Sequence, residues 1–241
     1  MLNHSVLTDY VHGFFGYGTW NANYWFVGME EAGGVTIDEV SKRLTTWVER
    51  GRPAIDDLVE FLRQADLTDW FEPSSRAQTT WHPLIRSVLV SQNKSDDAES
   101  ILNYQRTKLG RATGETAILE NLPLPSPDTR MWKYAKWSSI PTLGSRAIYQ
   151  RTYLKPRADQ ILELIRIHRP KVVVFYGNRQ SWSKRLSLAP SGKYTTNAGR
   201  WRDSFVVATD HTGARTNDAA QRFDEIGKLI RQNCTFLSES A

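Results

Sequence analysis

Four polar residues along the chain have side chains that could carry out hydrolytic chemistry. Glu30 and Glu31 are adjacent acids followed by small residues, and a carboxylate in such a turn could activate a water molecule. Asn121 carries both a donor and an acceptor, so it could form two hydrogen bonds with the edge of a nucleobase. His211 could donate a hydrogen bond to negative charge that develops on a leaving group. Together, the acids, the amide and the imidazole suit the hydrolysis of a bond to a nucleobase.

Each of these turns also has a purely structural interpretation. Glu30 and Glu31 could be solvated acids near a helix N-terminus. Asn121 could form an Asx turn before a proline-rich loop, and the segment around His211 could cap the last helix. A further turn that contains Asn178 opens a helix and could present backbone N–H groups to a phosphate, or simply join two elements. The sequence leaves these alternatives open.

The elements that must position these residues follow from the apolar pattern. Four nearly continuous apolar runs predict strands buried on both faces of a parallel sheet: Tyr24–Gly28, Thr116–Asn121, Lys171–Gly177 and Ser204–Thr209. Helical spacing predicts helices over Ile37–Arg50, Ile55–Ala65, His82–Ser91, Pro156–His168 and Asn217–Asn233. The alternation indicates an α/β fold, a three-layer α/β/α sandwich around a central, mostly parallel four-stranded sheet. Sites in such folds form at the carboxyl ends of the strands, where the polar turns lie.

Composition limits the class of protein. The 241 residues suit a single domain over residues 1–241. No apolar run could cross a bilayer, no signal peptide is evident, and the one cysteine, Cys234, cannot form an internal disulfide. These features predict a cytoplasmic protein with no membrane partner. The formal net charge of +5 permits a polyanionic partner.

In their order along the chain, these motifs resemble those of the uracil-DNA glycosylase superfamily. The segment Gly28-Met29-Glu30-Glu31-Ala32 is similar to the G-M-N-P-G motif of the single-strand-selective monofunctional branch. Asn121 is followed shortly by proline, as in that branch, and the segment from His211 to Asn217 is similar to H-P-S-P-R-N. Both motifs lack the family's prolines, and Glu30 takes the place of its Asp or Asn. Residues 35–115 form a helical insertion that matches no branch.

The resemblance implies roles for particular residues in base flipping and excision. Glu30 would activate water and stabilise the cationic sugar, with Glu31 as the alternative, and His211 would donate to the base anion. Base recognition would use Asn121, Met29 and Gly28. The predicted DNA contacts are Arg215, Thr212, Gly213 and Lys193, with Asn178 as a further candidate. No cofactor and no metal are expected, and the protein is predicted to bind double- or single-stranded DNA as a monomer.

The excised base follows from the small residues after Glu31. Where the uracil-specific branch has a tyrosine, this chain has Ala32, Gly33 and Gly34. A pocket without that wall should admit larger 5-substituents. We therefore expect a bulky modified pyrimidine, such as the glucosylated hydroxymethylcytosine of phage DNA, in an anti-phage role. Uracil or a damaged base, removed in repair, is the alternative substrate.

Two other classes remain open, and two are disfavoured. A hydrolase of free nucleosides would use Glu30 or Glu31 as nucleophile. A non-enzymatic nucleic-acid-binding module would use the basic surface and the aromatic residues. A Rossmann cofactor site is disfavoured because the glycine-rich segment Gly13–Gly18 precedes the first strand instead of following it. The five histidines show no zinc-ligand spacing.

Overall fold

The computed structural model describes residues 1–67, 70–128, 130–213 and 218–234. Within these residues, eight strands form one sheet in the order β3-β1-β4-β2-β5-β8-β7-β6. In chain order the strands are β1 (Gly16–Tyr17), β2 (Tyr24–Glu30), β3 (Ile55–Asp56), β4 (Thr116–Leu122), β5 (Val172–Tyr176), β6 (Ala189–Pro190), β7 (Thr196–Trp201) and β8 (Ser204–Thr209). The mixed α/β class predicted from the apolar pattern is confirmed.

The four strands predicted from apolar runs lie side by side at the centre of this sheet. The pairs β4–β2, β2–β5 and β5–β8 are all parallel. The prediction of a four-stranded sheet was wrong, because four further strands extend it. On one side β1 pairs antiparallel with β4 and β3 pairs parallel with β1; on the other, β7 and β6 continue the sheet antiparallel. Three of these additional strands have only two residues, too few to show a period.

Helices cover both faces of the sheet. In chain order they are α1 (His4–Gly13), α2 (Ile37–Glu49), α3 (Leu58–Gln64), α4 (Trp81–Ser91), α5 (Ala98–Thr107), α6 (Tyr134–Trp137), α7 (Arg146–His168), α8 (Arg179–Leu186) and α9 (Ala219–Asn233). Alternate strand residues enter two separate apolar cores, because successive side chains point to opposite faces. Phe26 and Val174 join the core under α4 and α9, whereas Val27 and Phe175 join the core under α7 and α8.

Two predicted helices differ from those observed. Pro156 was taken as a helix start, but it lies inside α7, which begins ten residues earlier. The segment predicted as a helix from Ile55 is divided: Ile55–Asp56 forms β3, and α3 starts at Leu58 after Asp57 caps it by accepting hydrogen bonds from Val59 and Glu60. The predicted insertion, residues 35–115, contains α2 to α5 and β3. No helix in the described ranges is long and apolar enough to span a membrane.

Candidate active site

Glu30 ends β2 and is held by the first residue of α7. Its side chain is 10% exposed, and Oε1 accepts a charge-assisted hydrogen bond from Arg146. Ser145 caps α7 by accepting from the Ile148 amide, which places Arg146 in the first helical turn. The other oxygen, Oε2, is buried without a hydrogen-bond partner. Burial raises the pKa of Glu30, and Arg146 opposes that effect. Glu30 is therefore an oriented carboxylate with one uncommitted oxygen.

Glu31 is held in a different way, by Arg43 of α2 and Tyr17 of β1. The guanidinium of Arg43 lies 3.0 Å from its carboxylate, and the Tyr17 hydroxyl donates to it at 3.1 Å. Arg43 is 5% exposed and also lies 3.6 Å from Glu39. Glu31 therefore forms part of a partly buried ionic cluster that joins α2 to the sheet. Of the two acids, Glu30 has the freer carboxylate.

His211 follows β8 in a tight turn. The amide of Gly213 donates to its Nδ1 at 3.0 Å, so in this geometry Nδ1 is an acceptor and the ring proton lies on Nε2. Desolvation by neighbouring protein atoms, and secondarily the Arg222 charge, lower the pKa of His211, although the residue is more exposed than the three glutamates of this site. The ring is therefore neutral at neutral pH and presents one N–H donor. Such a group suits an anion that develops during reaction better than a permanently charged one.

Glu120, in β4, lies beside these groups. It pairs in register with Gly28 and is 8% exposed. The Tyr176 hydroxyl donates to its Oε1 at 3.3 Å, whereas Oε2 has no hydrogen-bond partner. Burial, together with the nearby charges of Glu31 and Glu30, holds the pKa of Glu120 well above its usual range. Burial therefore favours the protonated form of Glu120, in which the carboxyl group can donate as well as accept.

One cavity of about 630 Å³ joins these side chains at the carboxyl edge of the parallel strands. Glu30, Glu31, Glu120 and His211 all line it. Its volume lies within the range of about 300–1,000 Å³ that small-molecule sites occupy. Trp70 and Trp81, from the helical insertion, form an aromatic wall with ring centroids 6.4 Å apart. The insertion thus contributes directly to this pocket, which we call the acidic cavity.

Asn121 does not face the acidic cavity, contrary to the expectation that it would meet Glu30 and His211 around one base. It lines a separate cavity with α7 and α8. The physical reason is that β4 continues to Leu122, so Asn121 is a strand residue rather than part of the turn. Consecutive strand residues point to opposite faces, and Glu120 takes the face toward the acidic cavity.

The remaining predicted residues divide between the cavity and its surroundings. Met29 lines the acidic cavity, and Asn178, in a left-handed conformation, borders both cavities. Thr212 is buried, with its hydroxyl oxygen unpartnered, and does not line the acidic cavity. Lys193 is exposed, and its backbone amide donates to Glu225. Arg215 lies outside the described residues.

Gly28 contributes by lacking a side chain. A Cβ at this position would lie 2.5 Å from Glu120 Oε2 and 2.6 Å from the Tyr176 hydroxyl oxygen. Those separations are too short for real contacts, so glycine is required for Glu120 and Tyr176 to meet above β2. The predicted position of Gly28 in the site therefore has a packing reason.

Three residues of the site were missed from the sequence: Glu120, Tyr176 and Arg146. The signal for Glu120 was an acid inside an otherwise apolar strand, where a charge is costly unless it is neutralised. Arg146 gave no local signal, because its pairing with Glu30 joins positions 116 residues apart. Within the described ranges, no group of three or more His, Cys, Asp or Glu residues is arranged to hold a metal ion.

Comparison of the chain with protein-family models gives no match, and a search of curated proteins gives none either. The resemblance to the uracil-DNA glycosylase superfamily therefore stays a prediction from short motifs. The site is characterised by its chemistry. The carboxyl groups of Glu30 and Glu120 and the neutral imidazole of His211 lie in one acidic cavity with an aromatic wall.

Proposed function

We propose that the protein hydrolyses the N-glycosidic bond of a nucleotide in DNA and leaves an abasic site. The observation that carries the proposal is that Glu30 and His211, far apart in the chain, line the same cavity. Breaking this bond places positive charge on the sugar and negative charge on the base. A carboxylate and a neutral N–H donor match those two charges.

The proposed step uses the uncommitted oxygen of Glu30 and the proton of His211. Glu30 accepts a proton from water as the water oxygen bonds to C1′ of the sugar. The C1′–N bond breaks, and its electron pair leaves with the base. His211 Nε2–H donates a hydrogen bond to the base oxygen that carries the charge, and the base takes up a proton on release. The target nucleotide must leave the helical stack to reach the cavity.

Glu120 replaces Asn121 as the proposed base-recognition residue. A neutral carboxyl group both donates and accepts, so it can pair with the N3 and 4-amino edge of a cytosine. The volume of the cavity, about 630 Å³, leaves room for a 5-substituent. Both features favour a bulky modified cytosine, such as glucosylated hydroxymethylcytosine in phage DNA, with uracil or a damaged base as the alternative. Under this proposal the protein serves in anti-phage defence.

The test is base release from oligonucleotides that each carry one candidate base, followed by detection of abasic sites. We expect release from the modified cytosine and a loss of at least about 100-fold in Glu30→Gln, the lower end of what a general base supplies. DNA binding should persist in that variant. Glu99→Gln, which neutralises an exposed acid on α5, is the matched control. Full activity of Glu30→Gln would remove the mechanism, and no release from any base would overturn the function.

A second candidate is hydrolysis of free nucleosides. The acidic lining favours this function, because a free nucleoside carries no phosphate that the cavity would have to bind. Arg43, the arginine that lines the cavity, is already paired with Glu31 and is not free to bind a phosphate. Incubation with free deoxynucleosides and measurement of the released sugar distinguishes the two. Release from nucleosides but not from oligonucleotides would favour this second function.

A further inference from the structure

The second cavity lies on the opposite side of β4 from Glu120. It has a volume of about 390 Å³ and is formed by Asn121 with side chains of α7 and α8. We call it the Asn121 pocket. Nothing in the proposed reaction uses it. Its chemistry differs sharply from that of the acidic cavity, because three cations and no acid line it: Arg151, Lys155 and Arg185.

The positive charge of the Asn121 pocket is only partly neutralised. Lys155 and Arg185 share one carboxylate, that of Asp159, with the Lys155 ammonium 3.1 Å from it. Arg151 is exposed and has no carboxylate within ion-pair distance among the described residues. Arg151 and Lys155 are four residues apart on α7, so they project from the same face of the helix. The rim therefore presents surplus positive charge suited to an anion.

Asn121 supplies an independent sign of a ligand. The residue is 2% exposed, and its Oδ1 has no hydrogen-bond partner. Buried polar atoms are nearly always paired, because leaving one unpaired is costly. The neighbouring wall is apolar and aromatic: Trp182 is 4% exposed and stacks on Phe175 with ring centroids 3.9 Å apart. The site thus combines an acceptor that needs an N–H donor, an aromatic wall and a cationic rim.

We propose that the Asn121 pocket binds a phosphorylated nucleoside, with a base N–H donating to Asn121 Oδ1 and the phosphate held by Arg151 and Lys155. The nucleotide comes either from solution or from a nucleic-acid strand. The second source rests on the proposed function, because Asn178 borders both cavities and so brings this pocket next to the acidic cavity. The first source is independent of it.

The experiment is calorimetric titration of the full chain with dCMP, and separately with deoxycytidine, inorganic phosphate and a single-stranded pentanucleotide. We expect saturable binding of dCMP, weakened about tenfold or more by Arg151→Ala, since charge-assisted contacts to phosphate are the strong ones. Lys184→Ala, which removes an exposed cation of α8 outside the pocket, is the control and should change affinity less than about twofold. Asn121→Leu should weaken dCMP but not inorganic phosphate; if that variant fails to fold, the Arg151 comparison alone decides.

The outcomes distinguish a free nucleotide from a nucleic-acid strand, and they test nucleotide binding separately from base excision. Tighter binding of the pentanucleotide than of dCMP, weakened by Arg151→Ala, assigns the site to a strand; binding of dCMP alone assigns it to free nucleotide. Absence of saturable binding by both, equal effects of Arg151→Ala and Lys184→Ala, or inorganic phosphate binding as tightly as dCMP would each overturn the proposal. Because the titration involves no base release, a protein without glycosylase activity still tests it.

Discussion

Two opposing effects set the pKa of Glu30. Burial raises it, whereas the hydrogen bond and the positive charge of Arg146 lower it. The proposed reaction needs the ionised carboxylate, so activity should fall with acid as Glu30 becomes protonated. Since the pKa of His211 is lowered, its ring stays neutral at neutral pH. At the residue scale, Arg146 therefore acts as a positioning residue that favours the ionised form of Glu30.

Replacing Arg146 tests this role. In Arg146→Ala the pKa of Glu30 should rise further, and the acid limb of the rate–pH profile should move to higher pH. Arg146→Lys, which retains the charge, should restore much of the original profile. Single-turnover base release measured across pH gives the comparison. An acid limb that stays in place in Arg146→Ala would show that Arg146 does not control this ionisation.

The raised pKa of Glu120 leads to a prediction about how the stability of the protein depends on pH. Its pKa is raised in the folded protein, so the folded state holds a proton that the unfolded state has released. The free energy of unfolding therefore falls as pH rises above the unfolded value of 4.5, until the folded pKa is passed, by at most about 1.4 kcal/mol per pH unit. Glu120→Gln is neutral at every pH and should lose this dependence. Urea unfolding at about pH 5 and about pH 8 measures it; the same pH dependence in both proteins would contradict the assignment.

At the scale of elements, β2 and β4 form the site by their parallel register. Gly28 opposite Glu120 leaves space for the carboxyl group, and Glu30 lies two residues further along the same strand. The alternation of side chains then sends Asn121 to the other face. Parallel pairing thus fixes which acid enters the acidic cavity, and a shift of one residue would exchange Glu120 for Asn121.

Gly28→Ala tests this arrangement. The added Cβ would collide with Glu120 and Tyr176, so we expect a loss of about 1–3 kcal/mol in the free energy of unfolding and impaired activity. Gly199→Ala is a matched strand control, because its Cβ would meet only Leu188, at 3.4 Å. Urea denaturation of both variants provides the measurement. Equal stabilities of the two would contradict the close packing above Gly28.

The sequence was most informative for elements with strong apolar patterns. The four central strands stand out because each is buried on both faces, as in Val172–Tyr176. Short strands such as β1 and β3 pair through the backbone, which leaves no pattern of residue types. The predicted start of the helix at Pro156 was wrong, because proline is common in the first turn of a helix, whereas in α7 it lies in the interior.

The candidate site was only partly predictable. Glu30 and His211 could be placed near one another because Glu30 ends one parallel strand and His211 closely follows another at the same edge of the sheet. The face toward which Asn121 points depends on where β4 ends. The ends of strands are the feature that sequence patterns predict least accurately. The pairing of Glu30 with Arg146 depends on tertiary structure alone.

At the scale of the whole molecule, the net charge of +5 predicts a salt-dependent affinity for DNA. With Glu30→Gln, which should bind without cleaving, raising salt from about 50 to about 200 mM should weaken binding to an oligonucleotide about tenfold or more, as phosphate contacts release counterions. Fluorescence anisotropy measures this. An affinity that does not change with salt would argue against phosphate contacts and favour a free nucleoside as substrate.

The length of α7 has a mechanical consequence. Arg146, the first residue of α7, donates a hydrogen bond to the carboxylate of Glu30. About three turns later, Arg157 donates to the backbone carbonyls of Phe14 and Glu120. One helix of 23 residues, about 34 Å long, thus contacts the strand of each carboxyl group, with Pro156 between its two contacts. The helix that lines the Asn121 pocket is thus also the helix that holds Glu30 and the backbone of Glu120 in place.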